Sequence, residues 1–197
     1  MHSEHVTETT SINGFIARAA EPGDLDGARA SMHRTFFEDF GYPALVASHN
    51  DTLDLAASYL EPEHRALFVA VDDATGQAIA TCAAREWDRR HPVHPESLHH
   101  RYREQRTIEL LRCYTALEHR RRGAQRELVE LARRWVLADR HYAIVNLHTN
   151  AAIAGAEPFW RSVAYPMHDS RPTPFNTVHF ELPLAWPVRG ASGPAPA

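Results

Sequence analysis

Short apolar segments alternate with longer amphipathic ones along the chain, and this pattern predicts a mixed α/β domain. Six segments are rich in β-branched, aromatic and other apolar residues, or alternate apolar with polar positions, as buried and half-buried strands do. The predicted strands cover residues 14–19, 66–71, 78–87, 107–115, 142–149 and 176–184.

Four segments have the spacing that is typical of helices. The clearest follows Gly123, where apolar side chains recur at i, i+3, i+4, i+7 and i+8 and form one core-facing stripe. These residues are Leu128, Leu131, Ala132, Trp135 and Val136. Further helices are predicted over residues 25–40, 52–60 and 150–163, and Pro158 should kink or break the last of them. The predicted order of elements is β-α-α-β-β-β-α-β-α-β.

Length and composition favour one globular domain. A chain of 197 residues with 44% apolar and 23% charged residues is most simply a single domain. We expect it to cover residues 14–188, between disordered tails at residues 1–13 and 189–197. The sequence contains no long apolar run or signal peptide pattern. The expected location is therefore cytoplasmic, with no membrane partner.

Charge and cysteine content narrow the chemistry further. The net charge is −4, which gives no global reason to expect a nucleic-acid partner. Cys82 and Cys113 fall in predicted neighbouring strands. Two buried, reduced thiols fit a cytoplasmic protein better than a disulfide or a metal pair does. The chain also has 14 histidines, so its charge should change in mild acid.

The polar segment 88–106 concentrates histidine and proline. It holds His91, His94, His99, His100, Pro92 and Pro95. Imidazoles at short spacing can share a zinc ion, but the prolines argue against a regular helix that presents two of them. We therefore expect a solvated loop and no metal, and the loop could act as a lid.

A strand, a basic turn and a helix follow one another over residues 107–134. The turn carries three arginines ahead of Gly123, and the helix begins directly after that glycine. The first turn of a helix offers backbone N–H groups without intrahelical partners, together with the positive end of the helix dipole. With the arginines beside it, this turn forms an anion site suited to a pyrophosphate.

The basic turn resembles the acyl-CoA pyrophosphate loop of the GNAT superfamily of N-acetyltransferases, whose pattern is Q/R-x-x-G-x-G/A. The resemblance implies that phosphates bind Arg120, Arg121, Arg122, Gly123, Ala124 and Gln125. It also implies that the pantetheine arm lies between two splayed strands, along Cys113, Tyr114, Thr115 and Asn150. In that family a glutamate eleven residues before the loop often serves as general base, and Glu109 stands at that position.

The resemblance covers residues 14–185 and implies the GNAT fold. This is a mixed, mostly antiparallel sheet of about six to seven strands with helices on both faces. Two residues depart from the family pattern. Gln125 replaces a small residue, and Trp160 stands where a tyrosine commonly protonates the departing thiolate. Tyr165, Tyr142 or water could supply that proton instead.

A second resemblance is to one branch of the same fold, the acyl-homoserine-lactone synthases and N-acyl amino acid synthases, which use acyl carrier protein thioesters. The residues that follow its signature in order are Phe36, Tyr42, Asp51, Asp54, Arg85, Glu109 and Arg112. The functional interpretation places Phe36, Phe37, Tyr42 and Arg85 around the acceptor. The structural alternative makes the aromatic residues core, Asp51 a helix cap, and Arg85 and Arg112 partners of acids.

Glu109 should lie on a buried strand, where loss of solvation would raise its pKa toward a range that suits a base. Strict alternation along the strand puts Glu109 and Arg112 on opposite faces unless a bulge separates them. We favour a structural role for Arg112. A backbone N–H near residues 113–115 could stabilise the oxyanion.

The sequence therefore predicts an N-acyltransferase. It would move an acyl group from a thioester, preferably acetyl-CoA or another acyl-CoA, to the primary amine of a small molecule or amino acid. Glu109 is the expected base and Tyr165 a candidate acid. A carrier-protein-dependent synthase and a non-catalytic acyl-CoA-binding module are the alternatives. The chain could act as a monomer or a homodimer, and the pattern does not identify the acceptor or the acyl length.

Overall fold

The computed structural model describes residues 9–41, 47–103 and 105–185. The strands in this part of the chain are β1 (Thr10–Ile12), β2 (Phe15–Ala19), β3 (Ala66–Asp72), β4 (Ala78–Glu86), β5 (Thr107–Thr115), β6 (Ile144–Asn150), β7 (Tyr165–Asp169) and β8 (Thr177–Leu182). The α-helices are α1 (Leu25–Arg34), α2 (Glu96–Tyr102), α3 (Ala124–Asp139) and α4 (Ala156–Arg161). Short 3₁₀ or π-helical turns lie at Pro22–Asp24, Thr35–Asp39, Ala47–Thr52, Ala56–Leu60 and Leu117–His119.

All eight strands form one sheet in the order β1-β2-β3-β4-β5-β6-β8-β7. Neighbouring strands are antiparallel except β5 and β6, which are parallel. Adjacent parallel strands need a crossover connection, and α3 supplies it. The predicted fold class, a mixed and mostly antiparallel sheet with helices, is confirmed. The sheet has one strand more than the upper number expected.

The sheet carries a hydrophobic core on each face. Because side chains alternate along a strand, Phe68 and Ala70 of β3 pack on one face while Leu67 and Val69 pack on the other. α3 covers the first face with its predicted apolar stripe, most of which is buried. α1 and the helical turns that follow it cover the second face. The long helix and its orientation were therefore readable from periodicity.

Two predicted helices have wrong boundaries. The helix predicted over residues 52–60 is instead a 3₁₀ turn at Ala47–Thr52, followed by a π-helical turn at Ala56–Leu60. The helix predicted over residues 150–163 shortens to α4. Pro158 lies in the first turn of α4, where a missing N–H removes no intrahelical bond, so the proline does not kink this helix.

Other elements occupy segments that the sequence predicts as irregular. β1 lies within the predicted N-terminal tail, and β7 lies between the predicted helix over residues 150–163 and the predicted strand over residues 176–184. α2 lies within the segment 88–106, after both prolines, which therefore do not interrupt its hydrogen bonds. The predicted C-terminal tail lies outside the described residues. No helix in the described ranges is both long and apolar enough to span a membrane.

Candidate active site

The parallel pairing of β5 with β6 ends before either strand does. Its last register pair is Leu110 with Leu147, although β5 continues to Thr115 and β6 to Asn150. The two strands therefore separate, and β6 remains paired with β8 on its other side. A cavity of about 1170 Å³ opens at this separation and extends to the start of α3 and to α4. Its wall includes Cys113, Tyr114, Thr115, Gly123, Ala124, Gln125, Asn150 and Trp160.

The first turn of α3 faces this cavity. Gly123 precedes the helix with φ 93°, a left-handed conformation that glycine adopts without steric cost, and a Cβ at this position would meet open space. Helical hydrogen bonding begins with the amide of Glu127, which donates to the Gly123 carbonyl at 3.1 Å. The amides before it have no intrahelical acceptor and lie where an anion could bind.

The three loop arginines have different surroundings. Arg120 forms an ion pair with Asp39 at 2.5 Å and donates to the Thr115 carbonyl at 3.1 Å. Arg122 donates to the Asn13 carbonyl at 2.8 Å and so connects the loop to the turn between β1 and β2. Arg122 is absent from the cavity wall. Arg121 lines the cavity with φ 62° and has no hydrogen-bond or ion-pair partner among the described residues. Arg121 is thus the loop cation that is available to a ligand.

Glu109 lies at the other end of the cavity, on β5, and is only 2% exposed. Its Oε1 is 2.9 Å from Nδ1 of His148 on β6 and 3.4 Å from Nε2 of His94. Burial favours the neutral carboxyl. The hydrogen bond from His148 and the close approach of His94 outweigh that effect and lower the pKa of Glu109 well below its usual range. The predicted rise in the pKa of Glu109 is wrong, because the sequence of the strand does not show that the His148 and His94 rings lie beside the carboxylate.

An ionised Glu109 determines which ring nitrogen of a neutral His148 carries the proton. A carboxylate only accepts hydrogen bonds, so Nδ1 of His148 carries the proton and Nε2 of a neutral ring keeps its lone pair. The side chain of His148 is 26% exposed and lines the cavity, whereas the Glu109 carboxylate is enclosed. The pair therefore presents an imidazole nitrogen to the cavity with a negative charge behind it.

The sequence interpretation missed this role of His148. The only available signal is its place on the strand that follows the long helix, since its contact with Glu109 depends on the parallel pairing of β5 with β6. His94 was assigned to a solvated loop but is buried. His179 of β8 is the register partner of His148. Burial and the rings of His148 and His94 lower the pKa of His179 to about 3.

A β-bulge lies on β5 between Leu111 and Tyr114. These residues pair with Ala83 and Thr81, so two residues of β5 lie opposite one of β4. Arg112, within the bulge, has φ 53° and lines the same cavity as Glu109. The condition under which both residues can line one pocket, a bulge between them, is therefore met.

The guanidinium of Arg112 nevertheless has a structural partner. Its Nε donates to Asp51 at 2.9 Å, and the Tyr59 hydroxyl donates to the same carboxylate. Asp51 thus anchors a buried charge rather than acting as a helix cap. The Arg112 charge and the hydrogen bonds outweigh burial and lower the pKa of Asp51.

The residues predicted to bind the acceptor do not all line the cavity. Phe36 is buried in the core beneath α1, as the structural alternative has it, and Phe37 is 40% exposed away from the cavity wall. Phe40 lines the cavity, and Tyr42 lies outside the described residues. Arg85 also lines the cavity, and its buried Nε has no hydrogen-bond partner in the described part of the chain.

The sequence of the chain matches one known protein family. The model of the acetyltransferase (GNAT) family matches residues 29–165, which is more than half of the chain. The protein belongs to this family. It is therefore an acyltransferase by family, and the predicted enzyme class is confirmed. No curated protein matches the sequence significantly.

Solved GNAT-fold structures resemble the chain in shape and little in sequence. A GNAT-family acetyltransferase from Staphylococcus aureus Mu50 has a TM-score of 0.63 at 10% identity and covers 87% of this chain and 99% of its own. FeeM, an N-acyl amino acid synthase from uncultured soil microbes, has a TM-score of 0.58 at 16% identity, and the match covers 86% of this chain and 92% of FeeM. The Escherichia coli ribosomal-protein-S18-alanine N-acetyltransferase has a TM-score of 0.53 at 16% identity, and the match covers 90% of this chain and 98% of that enzyme. At these identities the likeness shows the fold alone.

The GNAT pattern expects a tyrosine as acid, and the tyrosines considered for that role lie elsewhere. Tyr165 begins β7, is 41% exposed and is absent from the cavity wall. Tyr142 donates its hydroxyl hydrogen to the His64 carbonyl at 2.9 Å. Trp160 occupies the wall and has no acidic proton to give. The choice of Tyr165 as acid is therefore not supported by its position.

Proposed function

We propose that this GNAT-family protein transfers an acyl group from an acyl-CoA thioester to the primary amine of a small molecule or amino acid. One observation carries the proposal. The open first turn of α3 and the Glu109–His148 pair face a single cavity, at two ends of the gap between β5 and β6. An extended thioester would reach from one to the other.

Donor binding would use backbone groups more than side chains. The amides at Gly123, Ala124 and Gln125 would bind the pyrophosphate, with the positive end of the α3 dipole and the charge of Arg121 beside it. The pantetheine arm would lie along residues 113–115, where β5 has lost its partner β6, and would pair with this edge as an added strand does.

The chemistry needs a neutral amine beside the thioester carbonyl. In the proposed reaction, Nε2 of His148 takes a proton from the amine, and ionised Glu109 stabilises the ring while it is positively charged. The C–N bond forms first and puts negative charge on the carbonyl oxygen, which a backbone N–H near residues 113–115 stabilises. The C–S bond breaks as the C=O double bond re-forms and the thiolate leaves. The proton then passes from His148 to the departing thiolate, directly or through water. Glu109 acts in this scheme through His148.

The acceptor would bind on the Arg85 side of the cavity. Arg85 is the register partner of Glu109 on β4, and its buried Nε lacks a partner in the described ranges. Guanidinium groups bind carboxylates in a planar, two-point arrangement. This favours an amino acid, or another amine that carries a carboxylate, over a simple alkylamine.

Thiol release from acetyl-CoA and longer acyl-CoAs, measured with a panel of amines and amino acids, tests the proposal. We expect amine-dependent release that is fastest with carboxylate-bearing amines. Arg85→Gln should raise the acceptor KM and leave donor affinity unchanged. A protein that binds acyl-CoA but never releases thiol with any amine would instead be an acyl-CoA-binding module.

A carrier-protein donor is a second candidate, favoured by the loop itself. Arg120 and Arg122 are held by protein partners, which leaves fewer cations for a nucleotide than the sequence suggests. A carrier protein presents phosphopantetheine without the nucleotide. Release that occurs only with acyl-loaded carrier protein, and not with acyl-CoA, would support this donor.

A further inference from the structure

Three histidines that lie far apart in the sequence meet beside the cavity. His94 comes from the segment before α2, His148 from β6 and His179 from β8. One ring nitrogen of each lies within 4.8 Å of one ring nitrogen of the other two. The side chain of His94 is fully enclosed, His179 is buried and His148 is half-buried. The cluster is thus part of the folded interior with one edge toward the cavity.

The buried rings of this cluster lack the partners that buried polar groups normally have. Nδ1 of His94 and Nδ1 of His179 are enclosed and have no hydrogen-bond partner among the described residues. An enclosed polar atom without a partner costs free energy, so each such atom in a folded protein needs an explanation. A metal ion that accepts the nitrogen lone pairs provides one.

A carboxyl group beside the cluster makes a contact that is typical of metal-binding histidines. Glu109 is enclosed and hydrogen-bonded to Nδ1 of His148, which is the contact by which carboxylates orient metal-binding histidines elsewhere. With the Nδ1 proton held by Glu109, His148 offers Nε2 as a ligand atom.

We propose that His94, His148 and His179 bind one divalent transition-metal ion of the zinc class, with Glu109 orienting His148 from behind. Three imidazoles with a fourth position open to solvent match the preferred ligands and geometry of such ions. Zinc–nitrogen distances are about 2.0–2.1 Å. The rings must therefore draw together when the ion binds.

Metal binding has a consequence for the proposed acyl transfer. The ion would occupy the Nε2 lone pair of His148, which is the atom that takes the amine proton. Bound zinc should therefore inhibit acyl transfer. Only this consequence rests on the proposed function, since the binding itself does not depend on any turnover.

Metal titration of the chelator-treated full chain tests the site. Zn²⁺ binding is measured by competition with a chromogenic chelator, and Co²⁺ binding by the visible absorption of tetrahedral Co²⁺. We expect one ion per chain and a tetrahedral Co²⁺ spectrum. Glu109→Gln should weaken binding by about 10- to 100-fold, and His148→Ala and His179→Ala should weaken it further.

His64→Ala is the matched control, because His64 contacts Asp139 outside the cluster and its loss should change neither affinity nor spectrum. Circular dichroism verifies that each variant is folded, and His148→Ala, at the exposed edge, serves if His179→Ala is unfolded. Absence of a tetrahedral Co²⁺ spectrum, or binding by the folded cluster variants as tight as by the parent chain, would overturn the proposal. Zinc binding without any acyl transfer would support the site and count against the proposed function alone.

Discussion

Replacing Glu109 with glutamine removes the negative charge behind His148 while keeping the size of the side chain. The glutamine oxygen can still accept the hydrogen bond that Nδ1 of His148 donates at 2.9 Å, so the ring should keep its orientation. What the substitution removes is the attraction between the carboxylate and the positive ring formed when His148 takes a proton. Two charges about 4 Å apart at an effective dielectric constant of about 20 attract by about 4 kcal/mol.

That energy sets the expected loss of rate. At about 1.36 kcal/mol for each factor of ten, Glu109→Gln should lower kcat about a thousandfold. His148→Gln removes the accepting nitrogen itself, and general bases typically contribute about 10²- to 10⁴-fold. Because both residues would act as one unit, the double variant should be no slower than the slower single variant.

The assay is thiol release under saturating acyl-CoA, with donor affinity measured separately by calorimetry. Donor affinity should be nearly the same in all three variants, because the phosphates would bind at α3. His141→Gln is the control, since His141 stacks on His64 away from the cavity and should keep full activity. Losses that multiply in the double variant would show independent roles, and unchanged turnover in Glu109→Gln would remove Glu109 from the mechanism.

Three further substitutions test a proposed donor contact, a buried ion pair and a shifted histidine pKa. Arg121→Ala should weaken acyl-CoA binding about 10- to 150-fold in calorimetry, since a charge-assisted contact contributes about 1.5–3 kcal/mol; unchanged affinity would contradict a phosphate contact. Asp51→Asn deprives the buried Arg112 of its carboxylate and should lower the free energy of unfolding in urea by about 3–5 kcal/mol, and a loss under about 1 kcal/mol would refute that pairing. Burial and the charge of Arg112 lower the pKa of His49 from 6.5 to about 4. Between those values the unfolded chain binds more protons at this residue, so stability falls as pH falls. His49→Gln should flatten the decline in Tm between pH 7 and 5, and an unaltered slope would count against the shift.

The parts of the fold that were predictable depend on local pattern. The stripe of α3 repeats with the helical period, and the glycine before it marks the helix start, so strand, turn and helix followed from adjacent residues. The strongly apolar β3 and β4 were equally clear.

The chemistry of the site depends on contacts between distant segments, which periodicity does not encode. The family resemblance identifies Glu109 by its spacing from the loop, but the charge state of Glu109 follows from His94 and His148, which approach it from the segment before α2 and from β6. The bulge at Arg112 needs a positive φ in a residue with no special preference for it. The sequence predicts that Arg120 binds phosphate, but Asp39, which is distant in sequence, forms an ion pair with it.

A structure of the protein with a non-transferable acetyl-CoA analogue tests the central claim most directly. We expect the pyrophosphate within hydrogen-bond distance of the amides that open α3, and the acyl carbonyl in the gap between β5 and β6 on the cavity side of His148. A nucleotide bound elsewhere, or an acyl group that points away from His148 and Glu109, would contradict the account.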